Sequence, residues 1–176
     1  HCVKVDDADV QTISQTRASI AHCPKSNAKL GHGRAPFAQF LDAGIPVGLG
    51  SDSVASNNTC DILEEARFAV LFARAGTRKS DEAATLGAEE ALCSATLGGA
   101  RALGVEAQIG ELKAGAQADF IAVSLSGAHQ LPVYDPATAL IFASSGRDVI
   151  LTVVAGREVF RDGRVTTVDE DRLRAR

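Results

Sequence analysis

Asp52 and His22 each close a strand-like run, and His1 takes the same place by inference from the residues that follow it. The three stand 21 and 30 residues apart, each about the length of one strand-plus-helix unit. In parallel α/β folds functional groups gather at the carboxyl ends of strands, so these three can line one rim. A carboxylate and imidazoles in such a place suit a hard or borderline metal such as zinc or iron. Blander readings stay open at this point. An Asp in Gly-Ser-Asp-Ser also makes Asx-turns or caps helices, and His22 reads more readily as a satisfied, partly buried histidine. His32, between two glycines, and His129 read as solvent-exposed. His22 and Cys23 do not read as a soft-metal pair, because nothing nearby supplies two more ligands at standard spacing.

The elements that must position these residues follow from pattern. Asp6 or Asp7 can cap a helix carrying Val10 and Ile13, and 19–22 then reads as a short strand. A polar loop is expected from Pro24 to Gly33. Pro36 suits the first turn of a helix through Phe37, Phe40 and Leu41, with Gly44 as its stop. Residues 45–50 form an apolar run, as a strand covered on both faces requires. Beyond a loop, Asn58 or Thr59 can cap a helix with Ile62, Ala66, Ala69, Val70 and Ala73 at helical spacing. A second helix is expected from about Ser80 to Leu103, stopped by Gly104. This alternation indicates α/β architecture with parallel strands. After Gly104 the chain turns strand-like at 120–123, 149–154 and 158–160, with turns at Ala155-Gly156-Arg157 and Arg161-Asp162-Gly163-Arg164. One helix is expected near 136–143.

Bulk properties exclude several classes. Of 176 residues 45% are hydrophobic and 23% charged, a balance that can bury a core. The formal net charge of −4 is spread along the chain, which argues against a nucleic-acid surface built from clustered Lys and Arg. No apolar run approaches the roughly 20 residues that span a bilayer, so no membrane partner is expected. Cys2, Cys23, Cys60 and Cys93 are widely spaced and read as reduced, mostly buried thiols, which fits a cytoplasmic setting. Without any Met, and opening abruptly at His1, the chain is expected to be a piece of something longer.

Three segments in order carry a resemblance. The first is Ala21-His-Cys-Pro-Lys-Ser-Asn27 followed by Lys29-Leu30, and the second is Gly48-Leu-Gly-Ser-Asp-Ser-Val-Ala-Ser-Asn-Asn58. The third is Ala100-Arg-Ala-Leu-Gly104 followed by Ile109-Gly-Glu-Leu-Lys-Ala-Gly-Ala-Gln-Ala-Asp119. Together with a closing Val154 to Gly163 hairpin, they resemble the C-terminal part of the amidohydrolase superfamily, in the branch of methylthioadenosine/S-adenosylhomocysteine deaminases and triazine hydrolases.

The resemblance implies the C-terminal part of a (β/α)8 TIM-like barrel over residues 1–105 and part of a small β-sandwich lobe over 106–176. It implies Asp52 as ligand to a single divalent metal, zinc first and iron second, as proton carrier, and as a group facing the substrate. It places His1 at the end of the sixth barrel strand, beside the bond being broken, and His22 after the seventh with no assigned role. Ser56, Asn57 and Asn58 would shape the site floor or cap a helix. The implied reaction is hydrolytic deamination of an adenine-type nucleoside or related purine by metal-activated water. The alternatives are a triazine or chlorinated-heteroaromatic hydrolase, or a non-catalytic remnant serving as an assembly module. The family's remaining metal ligands, a His-x-His pair and a further histidine, have no counterpart among the four histidines here. The chain alone is therefore expected to be inactive, and to associate with the missing N-terminal part or with copies of itself.

Overall fold

Asp6 opens the first helix, α1 (Asp7–Ser14), through a reciprocal cap: its carboxylate accepts the Asp9 N–H at 2.9 Å and its own N–H donates to Asp9 at 3.1 Å. The computed structural model describes residues 1–75 and 86–175. After α1 come β1 (Ile20–His22), α2 (Pro24–Lys29), α3 (Phe37–Asp42) and β2 (Val47–Leu49). The two strands pair in parallel, with Ile20 opposite Val47 and His22 opposite Leu49. The Gly50 N–H donates to the His22 carbonyl at 3.0 Å, which carries the pairing one residue further. Residues 1–3 pair with no strand of the described residues.

The expected polar loop after His22 is instead the helix α2. Pro24 stands in its first turn, where its fixed φ suits a helix and its missing N–H costs nothing. Lys-Ser-Asn-Ala-Lys shows no apolar period, but Pro24, Ser26 and Asn27 are buried against the rest of the fold. Burial, not propensity, makes this helix.

Downstream of β2, Ser53 caps α4 (Val54–Asn57) by accepting the Ala55 N–H at 3.1 Å. Asn58 ends that helix in the left-handed region at φ 70°. The cap of α5 (Ile62–Ala75) is Asp61 rather than Asn58 or Thr59: one carboxylate oxygen accepts the N–H groups of Leu63 and Glu64 at 3.0 and 3.1 Å. The expected apolar stripe is present, with Ala66, Ala69 and Val70 buried.

The single helix expected from about Ser80 to Leu103 is two over its described part, α6 (Ala88–Ala95) and α7 (Leu97–Leu103); its first six positions, 80–85, lie outside the described residues. Thr96 breaks it at φ −126° and ψ −97°. The break lets α7 lie on β2 at backbone contact. A methyl group on Gly98 would stand 2.7 Å from the Val47 carbonyl oxygen, and one on Gly48 2.9 Å from the Gly99 Cα. Only glycine permits that approach.

Past Gly104, which ends α7 at φ 70°, the architecture changes. Strands β3 (Phe120–Val123), β4 (Val149–Val154), β5 (Arg157–Arg161) and β6 (Arg164–Val165) form one antiparallel sheet in that order. Ala155-Gly156 and Asp162-Gly163 close the two hairpins with positive φ at both residues, the mirror-image turn that matches strand twist. Between β3 and β4 lie α8 (Pro136–Thr138), a π-helical turn at Ala139–Ala143 and a 3-10 turn at Gly146–Asp148. A last short helix, α9 (Glu170–Arg174), capped by Asp169, has no counterpart in the sequence expectation.

Fully buried Phe37, Phe40, Val47, Val70 and Ile141 form the centre of the core. Ile141 brings the C-terminal segment into it, and Arg67 of α5 fastens the junction by donating to the Ile141 carbonyl at 2.9 Å and to the Ser144 carbonyl. The cysteines are free, as expected, but only Cys23 is fully buried; Cys60 and Cys93 are exposed, on the turn before α5 and on α6. No helix among the described residues is long and apolar enough to cross a membrane.

Candidate active site

The turn after β2 lifts Asp52 out of the fold. Its backbone takes φ 59°, a left-handed conformation that costs a non-glycine residue on the order of 1 kcal/mol and that Asp tolerates better than most. Ser53, not Asp52, caps the following helix, so the carboxylate is not consumed by that task. One oxygen, Oδ1, accepts the Ser53 N–H at 2.7 Å, and Oδ2 accepts the Ser26 hydroxyl at 2.6 Å. The Ser26 hydroxyl, then the Ser53 N–H, hold the Asp52 carboxyl below the usual carboxylate range. Asp52 is thus an exposed, ionised acceptor at neutral pH.

His1 meets it from the other side. The His1 Nε2 lies 3.8 Å from Asp52 Oδ2, close enough for charge to be felt and too far for a hydrogen bond. Its Nδ1 lies 2.7 Å from Asn27 Oδ1. The structure therefore brings together two of the three residues expected at the rim.

His22 is not brought into the group. It is 2% exposed, stacked on Phe37 with ring centroids 4.8 Å apart, and both ring nitrogens lack a hydrogen-bond partner among the described residues. Burial drives its pKa down to about 4, so the ring is neutral. His32 and His129 are exposed as expected, and His129 pairs with Asp148 at 3.2 Å.

Beneath the site runs a polar frame of which the sequence reading names Asn57 for the site but not Glu65 or Lys25. Glu65 is fully buried on α5; its Oε2 accepts the Lys25 N–H at 3.1 Å and its Oε1 accepts the Asn57 amide at 2.5 Å. The same Asn57 amide donates to the Ser51 carbonyl at 2.5 Å, one residue before Asp52. Burial pushes the Glu65 carboxyl up, against those hydrogen bonds. Lys25 caps the arrangement with an ion pair to Glu64. The available signal was Glu65 itself, one residue before Ala66 and four before Ala69, a charge set into an apolar stripe.

The described residues offer a metal one hard oxygen donor, Asp52, with an imidazole beside it. No three His, Cys, Asp or Glu side chains among them converge on one point. Catalytic zinc generally takes three protein ligands. The Asp52 carboxylate fits one place in such a set, and these residues alone do not fit the whole of it.

Residues 1–159 match the sequence profile of the amidohydrolase family. A 5-methylthioadenosine/S-adenosylhomocysteine deaminase of Pelotomaculum thermopropionicum is 41% identical over 175 residues, covering 99% of this chain and 40% of that protein. An adenosine deaminase from Xanthomonas campestris with bound zinc superposes with a TM-score of 0.92 at 33% identity, over 99% of this chain and 39% of that one. An atrazine chlorohydrolase from Arthrobacter aurescens TC1 complexed with zinc gives 0.90 at 32% identity, over 99% and 38%. The chain belongs to the amidohydrolase family. It spans about 40% of the length of the curated relatives it matches.

Proposed function

We propose that the chain serves as the Asp52 side of a metal-dependent aminohydrolase that removes the exocyclic amino group of an adenine-type nucleoside or related purine. The observation that carries this is the exposed Asp52 carboxylate with His1 Nε2 3.8 Å away, in a chain 41% identical to a methylthioadenosine/S-adenosylhomocysteine deaminase. Residues outside those described complete the ligand set. A divalent metal, zinc first and iron second, supplies acidification of water and polarisation of the attacked centre when bound.

The chain's own residues do the rest. Asp52 faces the substrate and takes a proton from the attacking water as oxygen bonds to the ring carbon. It then delivers that proton to the amino nitrogen as the carbon–nitrogen bond breaks, releasing ammonia and leaving a ring hydroxyl, whose remaining proton moves to the adjacent ring nitrogen to give the carbonyl tautomer. His1 stands beside the attacked carbon, where it orients the water.

Residues 1–105 are the final part of the barrel in this reading and 106–176 part of a β-sandwich lobe. Ile121, Thr152, Phe160 and Val165 lie opposite one another along the sheet, with Ile150 on the same face. Ile121 is 49% exposed and Ile150 44%, a surface that a second sheet would cover. Four free cysteines favour the cytoplasm, and the chain acts joined to the rest of its protein or to further copies.

The test is ammonia release by the complete protein with zinc, over 5′-methylthioadenosine, S-adenosylhomocysteine, adenosine, guanine, cytosine and aminotriazines, with chloride release from chlorotriazines alongside. Release from adenosine derivatives is expected. Turnover of triazines alone would replace this reading with the heteroaromatic one, and no turnover of any would leave the assembly module.

A further inference from the structure

Ser26 and Asn27 are neighbours on α2, each 1% exposed, and they address the two site residues separately. The Ser26 hydroxyl donates to Asp52 Oδ2 at 2.6 Å, and Asn27 Oδ1 lies 2.7 Å from His1 Nδ1. Successive residues on a helix point about 100° apart, so one short helix reaches two groups on different segments. Resting on the function proposed above, we propose that Ser26 and Asn27 are its positioning residues: Asn27 holds His1 as the Nδ1–H tautomer with the Nε2 lone pair towards Asp52, and Ser26 fixes the Asp52 carboxylate.

The chemistry of the groups sets the tautomer. An amide oxygen only accepts, so the ring nitrogen facing it carries the hydrogen, and the other nitrogen of a neutral ring is then an acceptor. Nε2 is left facing the site as a base rather than a donor. The amide turned the other way would present Nδ2 to His1 and reverse both roles. Asn27 Nδ2 meanwhile has no hydrogen-bond partner among the described residues, although it is buried. A side chain present only to satisfy the interior would not leave its donor bare. Its orientation is committed to His1 instead.

The helix that carries the pair is itself fixed. Pro24 starts it directly after β1, the buried Glu65 accepts the Lys25 N–H at 3.1 Å, and Lys29 donates to the Asn58 side chain. Ser26 and Asn27 therefore stand on a helix tied to both α5 and the end of α4. Partners of this kind behind the groups that do chemistry carry about 10- to 100-fold in activity or metal affinity.

The protein labelled with 15N-histidine decides the tautomer through long-range proton–nitrogen correlations, at a pH where the His1 ring is neutral. Nδ1 protonated in the wild type, lost in Asn27→Leu and regained in Asn27→Asp, is expected. Nε2 protonated in the wild type, or a His1 ring unchanged by Asn27→Leu, overturns the proposal. A second arm uses the complete protein with zinc and 5′-methylthioadenosine. Ser26→Ala and Asn27→Leu should lower kcat about 10- to 100-fold with little change in KM, and Ser26→Thr and Asn27→Asp should recover it. Losses confined to KM would overturn the positioning role. If the wild type turns over no adenosine derivative, the functional reading fails, while the His1 tautomer still decides the role of Asn27.

Discussion

Asp52 reaches the surface on a left-handed backbone and keeps its charge through the Ser26 hydroxyl and the Ser53 N–H. Replacing it by Asn preserves shape and removes the proton carrier, so Asp52→Asn should lower turnover by about 10²- to 10⁴-fold without moving the unfolding midpoint. Ammonia release and urea denaturation on one preparation check both halves. His22 makes the opposite kind of prediction, one about stability. Its folded pKa, about 4, lies below the roughly 6.5 of an unfolded histidine, so between these values the unfolded chain binds the extra proton. Stability should therefore be full above about pH 6.5 and fall as pH drops towards 4, by about 3 kcal/mol at most. His22→Leu should flatten that slope in urea midpoints measured across the range. Sequence alone showed where these residues stand in the chain and could not separate them. His22 ends β1 and Asp52 follows β2, but only the depth of each side chain decides that Asp52 meets solvent and His22 stacks on Phe37.

At the scale of elements, helix and strand periods located α1, α3, α5 and three of the four strands of the C-terminal sheet, because their apolar spacing is local information; β6 (Arg164–Val165) reads in the sequence as part of a turn. The failures share a cause. The helix α2 is ordered by Glu65 from forty residues away, and the break at Thr96 exists so that α7 can rest on β2. Neither tertiary demand leaves a periodic mark. Both can be tested by substitution. A methyl group at Gly98 meets backbone oxygen at 2.7 Å, so Gly98→Ala should cost about 1–3 kcal/mol by thermal or urea unfolding. Glu65→Ala strips an acceptor from the Lys25 N–H and the Asn57 amide, at about 1–3 kcal/mol for each donor left bare. Glu65→Gln should recover part of it, since one of its two oxygens remains an acceptor.

Taken whole, the molecule joins a parallel βα segment to an antiparallel sheet through Ile141 and Arg67. Among the described residues it presents one carboxylate and one imidazole where a catalytic metal needs more. Elemental analysis of the 176-residue chain after dialysis against zinc should therefore find no stoichiometric metal held at Asp52. A full equivalent, lost in Asp52→Ala, would contradict that. The family was legible from three ordered motifs, while the incompleteness of the ligand set needed only a count of histidines. The sheet face bearing Ile121, Ile150, Phe160 and Val165 has a consequence for the life of the chain in a cell. Left bare, such a face is what chaperones bind and what drives chains into inclusion bodies. On the proposal that a second sheet covers that face, yield of clear, monodisperse material should follow how promptly it is covered during synthesis, and co-expression with the segment that supplies the cover should raise yield more than any substitution near Asp52.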